Sequence, residues 1–158
     1  MFKIAVVDDD ENFLKAVSDY VVRYMTEKEV AYEVIKLRDG MDFFNIRNID
    51  YDIILMDIKM PLLDGMEAAK KLRANGCGAQ LIFVTSMAQY AIQGYEVDAI
   101  SFLLKPVTYF GLCEAMNNAI KNISRHENDD IKIVISTRNN TITISASSIH
   151  YVEVQGMK

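Results

Sequence analysis

The sequence lacks any unbroken apolar run of about 18 residues, the length that a membrane-spanning helix needs. Its opening, MFKIAVVDDD, has an apolar stretch too short for a secretory signal and no small-residue cleavage site. Basic charge is scarce. Against 22 Asp and Glu stand 17 Lys and Arg, a net charge of −5, which argues against gripping nucleic acid by bulk charge alone. The 2 cysteines, Cys77 and Cys113, have no metal-ligand spacing and read as reduced thiols in a cytoplasmic protein. Nor is there a GxGxxG phosphate loop, because Gly76 and Gly78 are followed by Leu81 where the third glycine belongs.

What is present suits a core-forming domain with some chain left over: 158 residues, 51% hydrophobic and 25% charged. Short apolar runs alternate with helical patterns. Strands are expected at Lys3–Val7, Ala31–Leu37, Tyr51–Met56, Gln80–Thr85 and Ala99–Leu104. Helices are expected at Glu11–Met25, Met41–Ile49, Met66–Asn75, Ala88–Tyr95 and Val107–Ser124. The first helix takes Phe13, Leu14, Val17, Val21 and Val22 as its apolar face. Alternation of this kind, with strands apolar on both faces, predicts an α/β fold with a doubly wound five-stranded parallel sheet. Its leading topology is flavodoxin-like, order 2-1-3-4-5.

Beyond residue 125 the pattern changes. The stretch 126–130 is polar and reads as a linker; residues 131–158 carry strand patterns only, at Ile131–Thr137, Thr141–Ser145 and Ile149–Val154. Three short strands bury little alone. This all-β segment is therefore expected to open a second domain rather than to append to the first.

In open parallel sheets, ligands bind beyond the carboxyl ends of the strands. Asp8, Asp9 and Asp10 follow the first strand, Asp57 the third, Thr85 and Ser86 the fourth, and Lys105 the fifth. In the order 2-1-3-4-5 these ends are neighbours, while Arg38 and Asp39 lie to the side. Clustered carboxylates suit a hard cation, and Mg²⁺ fits a site of few carboxylates, waters and phosphate oxygens. An aspartate there can act as a nucleophile towards phosphorus, and a lysine and a threonine hydroxyl can contact phosphoryl oxygens. Each residue alone has a plainer reading: Thr85 as a helix cap, Lys105 as a solvated charge, Phe102 as core. The set carries the inference. Asp10 and Glu11 read as helix-start residues. Tyr90, Tyr95, Tyr109 and Phe110 suit either a partner surface or a core edge, and His126 and His150 suggest no metal or base.

The segments VVDDDENF, ILMDIKMP with Asp64-Gly65, VTS and SFLLKP resemble the receiver domain of two-component response regulators over residues 1–125. That resemblance implies Asp57 as phosphoacceptor. It implies Mg²⁺ on Asp8, Asp9, Asp57 and the backbone carbonyl of Lys59. Thr85 and Lys105 would contact the phosphoryl group, with Thr85 and Phe102 as the switch pair and a cis Lys105–Pro106 peptide. It further implies a sensor histidine kinase as partner and a homodimer through the surface of the fourth helix, fifth strand and fifth helix. Such a domain is a phosphoacceptor that assists its own phosphoryl transfer and dephosphorylation, not an enzyme acting on a substrate. Met87 is apolar and cannot hold a water against the phosphoryl group, so slow dephosphorylation is expected. The tail, IKI…TITISASSIHYVEVQGMK, is similar to the opening strands of a LytTR DNA-binding domain. That implies DNA binding only through the complete C-terminal domain, whose remainder would follow Lys158.

Other classes fit less well. A hydrolase of the haloacid-dehalogenase type wants an aspartate two residues after its nucleophile, where Lys59 stands. A flavodoxin-like flavin or nucleotide binder wants glycines or hydroxyls after the first strand, where aspartates stand. A stand-alone receiver acting through protein contacts alone is disfavoured by the all-β tail.

Overall fold

The computed structural model describes residues 1–45, 50–128, 132–136 and 141–145. Its strands and helices run β1 (Phe2–Val7), α1 (Glu11–Glu27), β2 (Tyr32–Leu37), α2 (Asp42–Asn45), β3 (Ile53–Met56), α3 (Gly65–Ala74), β4 (Gln80–Thr85), β5 (Ala99–Leu104), α4 (Tyr109–Asn128), β6 (Lys132–Ser136) and β7 (Thr141–Ser145). Strands β1 to β5 form one parallel sheet in the order β2-β1-β3-β4-β5, the topology expected from the alternating pattern.

Burial follows position in the sheet. Every residue of the central strand β3 is buried, as is the run Ile4-Ala5-Val6-Val7 in β1. The edge strand β2 exposes Glu33 and Lys36, and the other edge, β5, keeps no residue fully buried. Helix α1 begins because the Asp10 side chain accepts from the backbone N–H of Asn12 and Phe13. It buries Leu14, Val17, Val21, Tyr24 and Met25 but leaves Phe13 and Val22 exposed, so the apolar stripe is narrower than the sequence suggested. Helix α3 is capped likewise by Asp64, which accepts from Glu67 N. Thr108 Oγ1 accepts from Gly111 N at 3.1 Å, so α4 begins at Tyr109 rather than at Val107.

Three expectations need correction or restriction. Between β4 and β5 there is no α-helix; two 3₁₀ turns, Ala88–Tyr90 and Gln93–Val97, replace the expected helix at Ala88–Tyr95. Neither has a side-chain cap, and the second buries only Gly94 and Val97, so a costly helix nucleus gains little packing in return. Asp98, in the left-handed region at φ 51°, then ends the turn. Helix α4 continues to Asn128, into the expected linker, since no glycine or proline interrupts RHEN. Of the expected helix at Met41–Ile49, α2 accounts for Asp42–Asn45, and residues 46–49 lie outside the described residues.

The chain divides into two compact units, Met1–Lys121 and Asn122–Lys158. In the second, β6 and β7 pair antiparallel, Ile133 opposite Ile144 and Ile135 opposite Ile142. The expected strand at Ile149–Val154, and His150 within it, lie outside the described residues. Among the described residues, no helix is long and apolar enough to cross a membrane.

Candidate functional site

Strand register builds the site. Val7 pairs with Met56, so the next residues, Asp8 and Asp57, emerge side by side from the centre of the sheet. The backbone continues this match, with Asp57 N donating to Val7 O at 2.9 Å. Thr85 pairs with Leu104 at the end of β4, and Lys105 N donates to Thr85 O at 2.9 Å. The Lys105–Pro106 peptide is cis. Lys105 thus leaves β5 beside Thr85, and its side chain reaches back across the rim.

There Lys105 Nζ meets Asp8 Oδ2 at 2.6 Å and Asp57 Oδ2 at 3.1 Å. The second Asp57 oxygen, Oδ1, accepts from Ile58 N at 2.7 Å and more weakly from Lys59 N at 3.4 Å. Asp8 Oδ1 accepts from Asp10 N at 2.9 Å. Asp8 and Asp57 are buried and Asp9 is exposed, yet one carboxylate oxygen from each of the three lies within 4.8 Å of the others. Thr85 is fully buried, and its hydroxyl accepts from Met87 N at 3.3 Å; it caps no α-helix. Asp10 separates from its two neighbours and caps α1, while Glu11 forms an ion pair with Arg38.

The two partners of the shortest contact respond differently to their surroundings. Burial raises the Asp8 pKa above the usual carboxylate value; its bonds to Lys105 and Asp10 N only partly offset this, and the Asp57 charge adds to it. Burial also works against charge on Lys105, but there the hydrogen bond to Asp8 and the charges of Asp57 and Asp8 prevail, raising its pKa above the usual lysine value. One ammonium serves two carboxylates, so the lysine is over-compensated and each carboxylate under-compensated. Hard oxygen donors, close together and short of positive charge, fit a small divalent cation such as Mg²⁺.

The sequence pattern brought Asp8, Asp9, Asp57, Thr85 and Lys105 to the right strand ends, and it missed three supports. Asp39, expected to lie aside, is buried and accepts from Met41 N (2.9 Å), Leu62 N (3.0 Å) and Leu63 N (3.0 Å). It ties the loop after Asp57 to the end of β2. Gly65 donates to Ile58 O at 2.8 Å, and a Cβ there would collide with the Asp57 carbonyl and stand 2.9 Å from Ile58 Cα. The Asp64-Gly65 pair was the available signal for that approach. The third is Phe13, whose ring centroid lies 4.3 Å from Lys105 Nζ. Phe102 is half-buried, 6.1 Å from the Phe83 ring, and lines a 320 Å³ cleft with Ile92, Gly94 and Tyr95. Of the other aromatics, Tyr90 packs on the core and Tyr109 donates to Glu27 Oε2 at 2.6 Å, whereas Tyr95 and Phe110 are exposed.

Fold and site together define a doubly wound α/β domain with an acidic, cation-competent pocket at the carboxyl edge of its sheet. Residues 4–117 match the response regulator receiver domain family, and the chain belongs to it. It is 31% identical over 106 residues to the sensory transduction protein LytT of Bacillus cereus, covering 67% of this chain and 42% of that one. A CheY-like receiver domain protein from Methanospirillum hungatei superposes with a TM-score of 0.68 at 25% identity, over 80% of this chain and 98% of the other. The BeF3-activated receiver domain of DrrB from Thermotoga maritima superposes with a TM-score of 0.66 at 25% identity, over 77% and 98%. The chain spans about half the length of the curated relatives it matches.

Proposed function

We propose that this receiver takes a phosphoryl group onto Asp57 from the phosphohistidine of a sensor histidine kinase. The observation that carries the reading is the meeting of Asp8, Asp9 and Asp57 within 4.8 Å, with Lys105 bonded to two of them. In the transfer an Asp57 carboxylate oxygen bonds to phosphorus as the P–N bond breaks, and the electron pair leaves with the imidazole. Asp8, Asp9, Asp57 and the Lys59 carbonyl would hold Mg²⁺, which supplies neutralising charge for the phosphoryl oxygens. Lys105 is placed to bond a phosphoryl oxygen in exchange for its present carboxylate partners, and the Thr85 hydroxyl to donate to another.

For the output, Phe102 on β5 stands opposite Phe83, two residues before Thr85 on β4. Movement of Thr85 towards the phosphoryl group would free space for Phe102 to turn inward, a local charge event biasing a two-state element. The surface altered is that of the 3₁₀ turns, β5 and α4, and its exposed apolar residues support homodimerisation there. In the complete protein a LytTR-like all-β domain would carry the signal to DNA, in keeping with the similarity to LytT.

Incubation with acetyl phosphate and Mg²⁺ tests the first step. Intact mass is expected to rise by one phosphoryl group in the wild type and not in Asp57→Asn. No gain in the wild type, or an equal gain in the variant, would refute the assignment.

A further inference from the structure

Phe13 occupies the first turn of α1, where its backbone N–H donates to Asp10 Oδ1 at 3.3 Å. Helix periodicity turns Leu14 and Val17 into the core and leaves Phe13 outside it, 36% exposed. Core packing therefore does not account for a phenyl ring at this position. What the ring does touch is an ammonium group: Lys105 Nζ stands 4.3 Å from its centroid, within the range where a cation is attracted to an aromatic face. The same nitrogen bonds Asp8 and Asp57, and the lysine side chain is only 10% exposed. The ammonium thus has carboxylates on one side and an aromatic face on another.

We infer that Phe13 is a positioning residue for Lys105, holding the ammonium at the mouth of the pocket while the carboxylates change partners. The inference rests on reading Asp57 as the phosphoacceptor. Lysine is a flexible point charge with no planar fork to fix its direction, so its placement depends on what surrounds it. In the structure two carboxylates supply that constraint. A divalent cation held by Asp8 and Asp57 would compete for those oxygens and repel the ammonium. The aromatic face is a partner that a hard cation does not compete for, since it offers a quadrupole and no lone-pair oxygen. The Asp10 cap then has a second consequence, because fixing the first turn of α1 also fixes the ring over Lys105.

The test uses the full chain with acetyl phosphate and Mg²⁺, comparing wild type, Phe13→Leu and Phe13→Tyr. Leucine keeps apolar cover and removes the π face; tyrosine keeps both. The rate of phosphoryl gain is expected to fall by about two- to fivefold in Phe13→Leu and to be restored in Phe13→Tyr. In parallel, the Lys105 ε-methylene protons are expected upfield, by ring current, in the Mg²⁺-loaded wild type and not in Phe13→Leu. An unchanged rate in Phe13→Leu, or an equal loss in both variants, would overturn the inference. If the wild type gains no phosphoryl mass, the phosphoacceptor reading fails instead. The proton shifts still decide the role of the ring: identical Lys105 shifts in wild type and Phe13→Leu overturn it.

Discussion

Around Asp57 each group is held from several directions, whereas the face built on β5 is held by little. Asp57 receives two backbone N–H groups and Lys105; Asp8 receives Asp10 N and Lys105; Asp39 clamps the loop after Asp57 through two N–H groups. On the other side, Ile92, Tyr95, Leu104 and Phe110 are between 51% and 81% exposed, the connecting turns are 3₁₀, and Phe102 borders a cleft. Under the proposed function the difference would separate two tasks. Phosphoryl chemistry needs groups fixed before the reaction. A responsive surface needs a low cost of rearrangement, which sparse burial supplies.

The largest expected effect breaks the rigid side. Gly65→Ala would drive a Cβ into the Asp57 carbonyl, so the variant is expected to lose about 3 kcal/mol or more in denaturant unfolding. Wild-type stability in that assay would show that the loop after β3 is softer than its contacts suggest.

Next is the charge balance in the pocket. Millimolar Mg²⁺ is expected to raise the Tm of the wild type and much less that of Asp8→Asn, because only a state that binds the ion is stabilised by it. Without metal the order reverses. The folded Asp8 pKa is raised, so its contribution to stability is full below about pH 3.8 and is lost as pH rises through the folded value. Asp8→Asn is therefore expected to melt above the wild type at pH 7 and alongside it below pH 3.8. Differential scanning calorimetry against pH checks both signs.

On the looser side, Ile92→Asp is expected to change monomer stability by less than about 0.5 kcal/mol, since 81% of the residue is exposed. It is expected to weaken beryllofluoride-induced dimerisation about tenfold or more in sedimentation, because a charge replaces an apolar side chain on the proposed interface. Retention of full dimer affinity would remove this face from the output. The smallest effect concerns Met87, half-buried after Thr85. Met87→Glu supplies an acceptor for a water near the phosphoryl group and is expected to shorten the phosphoryl lifetime several-fold; an unchanged decay would remove the lifetime argument.

Legibility in the sequence followed the range of the interaction. The runs IAVV and QLIFVT were recognisable as buried strands because neighbours along the chain encode them. Asp10 was recognisable as a helix-start residue because what it does there is local: its capping partners are two and three residues away. The Ala88–Tyr95 segment misled because its apolar residues imitate a helical face, whereas Tyr90 packs on the core and Ile92 and Tyr95 are exposed. Asp39 was missed for the opposite reason: its Leu62 and Leu63 partners lie 23 and 24 residues on.

The sequence by itself determined the order and type of the sheet-forming elements and which chemical groups stand at each strand end. Local periodicity and turn chemistry suffice for that. Only the tertiary structure decided that Asp8 and Asp57 emerge level with each other, that Lys105 serves both, and that Phe13 covers the lysine. The two lysine–carboxylate contacts join residues 48 and 97 positions apart, and they exist only once strand order and register are set. Three adjacent aspartates were visible from the start; folding brings a carboxylate oxygen of Asp8 and of Asp9 within 4.8 Å of Asp57 and leaves Asp10 to cap α1.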